Sequence, residues 1–179
     1  MRGTLPRSFD AEGVPKRPLP LIQDGVAHAV VHDLRSAARA GAASTGHGLS
    51  PGGAAGGPGP RNLVLAGGGA ASVEALCAPI ERGLYVTRLW YVNTVEARHT
   101  VLTGMTRDGT FLIEDGRIGR PLRDVRFTDS ALGILDATEE LTAAQRLVGD
   151  FDLYGRRFAT GVLCPAIRAA SLRITGATS

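Results

Sequence analysis

ERGLYVTRLWYVNTVEARHTVLTGMTRDGTFLIEDGRIGRP, Glu81 to Pro121, is the stretch whose reading decides the fold. Leu84, Val86, Leu89, Tyr91 and Val101 are residues that suit a pleated, half-buried strand. Asp108-Gly109 and Asp115-Gly116 are two-residue turn signals, because a type I′ turn needs φ > 0 and glycine adopts it without a Cβ clash. The stretch therefore predicts a run of antiparallel hairpins. Leu21 to Val26, LIQDGV, repeats the signal upstream as strand, tight turn, strand. It shares L-I-x-D-G with Leu112 to Gly116.

Outward from these hairpins the helices are short. Leu34 to Ala43 is Ala-rich and predicts one helix. Ser72 is positioned to cap a second over Val73–Arg82, where Val73, Leu76, Cys77 and Ile80 share a face. Pro79 should kink that helix and Gly83 end it. Asp129 or Ser130 predicts a cap for Ala131–Leu135, and Thr142 a cap for Ala143–Val148. Strands are expected at Asn62–Ala66, from Gly83 to about Thr128, and at Val162–Cys164 and Ile167–Ile174. This adds up to an α+β fold: a mainly antiparallel curved β-sheet or partial barrel with three or four short helices. Residues 1–20 read as an extended lead-in and 21–179 as one domain. Within it, residues 44–60 are Gly, Pro, Ser and Ala, a composition that predicts a flexible surface connection that does not pack.

Composition excludes several classes. The chain has 179 residues, enough for one domain with a core, and 44% apolar residues. It has no run of about 18 apolar residues and its start, MRGTLPRSFDAEG, has no apolar signal region, so no membrane span is predicted and a cytoplasmic location is expected. The charge is +3. Arg117, Arg120, Arg123 and Arg126 are interleaved with Asp115, Asp124 and Asp129, and Lys16 is the sole lysine. Such dilution does not predict nucleic-acid binding. Cys77 and Cys164 are expected as free thiols.

Five groups invite a chemical reading. His28 and His32 would share one face of a helix, but the Val-rich context predicts a strand, where they lie about 13 Å apart and chelate nothing. Gly67-Gly68-Gly69 is a possible anion cradle, though a loose strand-to-helix turn explains it as well. Ser44-Thr45-Gly46-His47-Gly48 sets hydroxyls beside a His with no acid nearby in sequence. Asp136, Glu139 and Glu140 read as a solvated helix boundary. Trp90 and Tyr91 should point to opposite faces of one strand.

GLYVTRLWYVN (83–93), TGMTRDGTFLIEDGRI (103–118) and Pro121 resemble the C-terminal domain of the TldD/PmbA family of zinc metallopeptidases, once called modulators of DNA gyrase. SFDAEGVPKRPLPLIQDGVAHAVVHDLRSA (8–37), STGHG (44–48), RNLVLAGG (61–68), LVGDFD (147–152) and GVLCPAIRAASLRITG (161–176) extend the resemblance in the family's order. The resemblance implies peptide hydrolysis by a zinc-bound water, with a Glu as base, on an H-E-x-x-x-H helix upstream of the segments matched here. No His-Glu pair occurs in this sequence. The family's Cys ligand falls on Ala159. Cys164, five residues on, points to the opposite strand face and inherits no role. No catalytic, cofactor or metal residue is therefore expected on this chain. Tyr91, Asn93 and Arg98 are implied as part of a peptide-cleft wall. The implied partner is a catalytic TldD-type paralogue in a heterodimer, or an N-terminal half, with peptide substrate reached through that complex. Ala159 and GLYVTRLWYVN favour the non-catalytic subunit type. A truncated or split piece of an active peptidase, and a stand-alone protein-binding or scaffold module, are the alternatives.

Overall fold

The computed structural model describes residues 7–53, 55–150 and 160–177. The fold is α+β with mostly antiparallel strands, as the hairpin signals predict, and its sheets do not close into a barrel. The chain divides into two compact units. One comprises Met1–Leu65 with Leu147–Cys164, the other Ala66–Arg146 with Pro165–Ser179.

In the first unit, β1 (Ile22–Gln23) and β2 (Val26–Ala27) form the expected hairpin. Asp24 and Gly25 between them have φ of 51° and 77°, the backbone a type I′ turn demands. Helix α1 (Leu34–Ala40) starts at Asp33, whose carboxylate accepts from Ser36 N while the Ser36 hydroxyl accepts from Asp33 N. Gly41, left-handed at φ 63°, ends it. The lead-in is not simply extended. Phe9 bridges Pro15, and the Asp10 carboxylate accepts from Glu12 N and Val14 N, closing a turn.

The second unit is built on a five-stranded sheet. β3 (Arg82–Glu96), β4 (Val101–Glu114), β6 (Val125–Ser130) and β9 (Ile174–Ala177) lie in that order, and β5 (Arg117–Leu122) also pairs with β4. Leu112, Ile113 and Phe127 are its buried apolar core. Gly104 makes room for Phe127, since a Cβ there would sit 2.7 Å from Phe127 Cε1. Thr106 and Thr110 are buried beside them, hydroxyl to hydroxyl at 2.7 Å, with Asp124 Oδ1 3.3 and 3.1 Å from the two oxygens to accept the remaining hydroxyl hydrogen.

The two Asp-Gly signals part company here. Asp115-Gly116 is the β4–β5 turn, with φ of 47° and 76°. Asp108-Gly109 is not a turn. It is a bulge inside β4, two residues facing Thr87 alone on β3, with the Thr87 hydroxyl 3.2 Å from Arg107 O and 3.0 Å from Gly109 O. Both settings need φ > 0, so local sequence does not separate them. The β3–β4 hairpin turns instead at residues 97–100.

Helix α2 (Val73–Cys77) is capped by Ser72 as expected but stops before Pro79 rather than kinking through it, because that proline has no N–H to continue the ladder. Helix α3 (Ala131–Asp136) follows its Ser130 cap. The helix expected after Thr142 is absent: Thr138–Asp150 is strand β7, paired with β8 (Thr160–Ala169). Thr142 is buried in that pairing, its hydroxyl accepting from Ala166 N at 2.9 Å. Short apolar runs suit either period, and the neighbouring strand decides. The strand expected at Asn62–Ala66 reduces to a bridge from Val64 to Leu163.

Candidate functional site

The three residues implied as a cleft wall lie on β3 and the turn that follows it. Tyr91 is 72% exposed and carries φ of 50°, because β3 bulges where Tyr91 and Val92 together face Gly104. Asn93 Nδ2 donates to Tyr91 O at 2.8 Å, which pins the bulge. Arg98 is exposed in the four-residue turn. A second bulge follows between Thr94 and Glu96. β3 ends the sheet order and pairs only with β4 among the described residues, so its outer row of N–H and C=O groups meets no strand. Leu89, Trp90, Tyr91, Val92 and Val95 are all exposed along it.

Beside that edge lies a cluster that the hairpin reading overlooks. Arg88 and Arg107 are cross-strand partners, and the Trp90 ring stands 4.7 and 5.3 Å from their guanidinium carbons. Asp108, tipped by the bulge, reaches Arg88 Nη1 at 3.0 Å and Arg107 Nε at 3.8 Å. The signal was present in R107-D108-G109, but only the strand register places Arg88 and Trp90 against it.

The other groups resolve into structural roles. His28 and His32 lie beyond the two-residue β2; His28 N donates to Leu21 O, and His32 Nδ1 meets the Ser36 hydroxyl at 3.2 Å. The glycine run is filled by its own chain. Gly69 N donates to Glu140 Oε1, Gly68 N to Thr142 O, and a Cβ at Gly67 would lie 2.6 Å from Ala143 O. These glycines let backbone approach backbone. The N–H groups of Leu141 and Gly69 hold the Glu140 carboxyl below its ordinary range. Glu139 pairs with Arg168 at 2.9 Å, and Asp136 is the last residue of α3.

Residues 44–48, whose composition predicts no packing, are packed. Gly46, His47 and Gly48 are buried. Gly48 N donates to Asp10 Oδ2 at 2.7 Å, and His47 Nδ1 lies 2.9 Å from Thr45 Oγ1, which also accepts from His32 N. Burial pushes the His47 imidazole down, and the Lys16 charge adds to this against Thr45 and Asp10. The Thr45 hydroxyl lies 3.1 Å from the His32 carbonyl, so it is tied into backbone bonds rather than poised as a nucleophile.

Cys77 is buried and its thiol is pushed up by burial and by Glu74. Cys164 is half-buried in β8. Ala159, the expected position of the family Cys, lies outside the described residues. Among the described residues no three His, Cys, Asp or Glu side chains gather to hold a metal, so the donors present do not fit a zinc centre. None of the described helices is long and apolar enough to cross a membrane.

Residues 1–176 match the family described as PmbA/TldA metallopeptidase C-terminal domain. Among curated proteins none matches. Solved structures share the fold. TldE from Thermococcus kodakarensis has a TM-score of 0.71 at 24% identity, over 96% of this chain and 36% of that one. A protein designated a modulator of DNA gyrase from Thermotoga maritima has a TM-score of 0.71 at 22% identity, over 94% and 35%. One of the same designation from Bacteroides thetaiotaomicron has 0.67 at 17%, over 98% and 34%. The chain thus spans about a third of the length of each, 34–36%.

Proposed function

Because the chain belongs to the TldD/PmbA family, as a PmbA/TldA metallopeptidase C-terminal domain, we propose that it serves peptide hydrolysis as the non-catalytic half of a zinc metallopeptidase. Its partner on this reading is a catalytic TldD-type paralogue, joined in a cytoplasmic heterodimer, and the zinc resides on that partner. Tyr91, Asn93 and Arg98 line part of the wall past which the substrate peptide runs. No zinc-dependent step is assigned to this chain.

One observation carries the reading. β3 is a fifteen-residue strand whose outer edge pairs with nothing described, while its apolar side chains stand in solvent. An edge of that length and character is a liability in a free protein and an asset against a second polypeptide. The deciding experiment is affinity capture of the tagged chain from its own host, with metal analysis and a peptide-cleavage assay of the eluate. Co-purification of a zinc-bearing paralogue, with cleavage absent from the chain alone, is the expected outcome. Capture of the chain by itself, free of partner, would remove the peptidase role.

A further inference from the structure

Arg88 and Arg107 occupy directly opposite positions in the β3–β4 ladder. Like charges so placed repel. Their side chains nonetheless converge on one tryptophan, with the guanidinium carbons 4.7 and 5.3 Å from the Trp90 ring centroid. Asp108 sits between them, 3.0 Å from Arg88 and 3.8 Å from Arg107. Two cations against one carboxylate leave an unbalanced positive charge. Each guanidinium offers five N–H donors, and two carboxylate oxygens do not exhaust them. The three charged side chains are each more than half exposed. At the first bulge the extra residue belongs to β4, so β3 keeps a regular strand course from Arg82 to Trp90.

We infer that the Arg88–Trp90–Arg107 face is a docking site for an acidic polypeptide segment in extended conformation. The segment adds to the free edge of β3 up to Trp90, where the bulge at Tyr91 and Val92 stops regular pairing. Its backbone satisfies the outer N–H and C=O groups, one carboxylate is received by the two guanidinium groups, and an apolar side chain two positions away, on the same strand face, covers the indole. The edge favours a polypeptide over a nucleic acid, since phosphates offer no donors to strand carbonyls and Asp108 repels a dense anion. The site precedes Tyr91, Asn93 and Arg98 along the chain and needs no metal; it shares the β3 edge on which the proposed heterodimer rests, and titration of the chain with peptide alone tests it apart from that heterodimer.

Trp90 is the only tryptophan of the chain, so its fluorescence reports this site alone. The full chain is titrated with acetyl-Thr-Val-Glu-Thr-Val-Glu-Thr-amide, which puts a Glu and a Val two positions apart on one face, and with the same peptide carrying Gln for Glu. The acidic peptide should give a saturable change, bind roughly tenfold more tightly than its Gln counterpart, and weaken as salt rises. The double variant R88Q/R107Q should lose that preference while keeping the far-ultraviolet spectrum of the parent. Equal affinity for the two peptides overturns the inference, as does silence in both fluorescence and calorimetry. Tighter binding of an oligothymidylate of equal charge would assign the face to nucleic acid. A concentration-dependent dimer that excludes the peptide would assign it to a second copy. Either result overturns it as well.

Discussion

Asp10 and His47 show how little of a buried polar cluster is written locally. Asp10 accepts from the N–H groups of Glu12, Val14 and Gly48, and the last of these is 38 positions away. S-T-G-H-G reads as a loop because its composition is that of a loop; its packing depends on a carboxylate at the other end of the segment. Burial pushes the Asp10 carboxyl up, but the donors from Gly48, Val14 and Glu12, with Lys16, outweigh it and the net direction is down. Both groups therefore have folded pKa values below their ordinary ones, 3.8 for Asp10 and 6.5 for His47. Their stabilisation is whole above those ordinary values and is lost as pH falls through the folded ones. The urea midpoint should thus decline below about pH 6.5 through His47, and H47N should flatten that limb. A limb unchanged in H47N would show that another group titrates there. Asp10→Asn, which keeps shape but loses charge and replaces one acceptor with a donor, should lower stability at neutral pH by about 2 kcal/mol. An unshifted midpoint would mean that Gly48 N and its neighbours find water at no cost.

At the scale of elements, positive φ was legible and its use was not. Asp24-Gly25, Asp108-Gly109 and Asp115-Gly116 all adopt φ > 0, two as hairpin turns and one as a bulge. The residues after Gly109 continue β4 because Thr110, Phe111 and Leu112 find partners on β3, a nonlocal condition. The same holds at Thr142, where β8 overrides a plausible helix start. Capping signals fared better, since Ser72 and Ser130 act within three residues of themselves. The turn glycines separate conformational strain from steric clash. At Gly25 (φ 77°) a Cβ meets nothing within 4 Å, whereas at Gly116 (φ 76°) it meets Ala78 O at 2.5 Å. Gly25→Ala should destabilise by about 1 kcal/mol from the left-handed backbone alone. Gly116→Ala should add the displacement of Ala78 and reach about 2–3 kcal/mol. Urea denaturation of the two variants checks the order, and equal losses would mean that the loop at Ala78 yields freely.

For the molecule as a whole, more large apolar side chains stand exposed than lie buried among the described residues. Leu76, Cys77, Leu112, Ile113 and Phe127 form the buried apolar set of the second unit, and Ala37 that of the first, among the described residues. Leu89, Trp90, Tyr91, Val92 and Val95 on β3, Leu132 and Leu135 on α3, and Leu147 and Val148 on β7 remain exposed. LYVTRLWYV reads as a strong strand, but sequence alone does not say that it ends a sheet; that follows from β4 spending its other edge on β5 and β6. A chain with this balance, spanning 34–36% of the length of its structural relatives, is expected to gain stability on association. Binding linkage sets the size. A partner present at about one hundred times its Kd adds about 2.7 kcal/mol, which for a chain of this length moves Tm by about 5–10 °C. The free chain should accordingly bind a hydrophobic dye at neutral pH, and adding the captured paralogue should suppress that signal while raising Tm in proportion to the logarithm of its concentration. A free chain that binds no dye, and a Tm indifferent to the paralogue, would mean that its exposed strand faces water in the working state, and the heterodimer reading would fall with it.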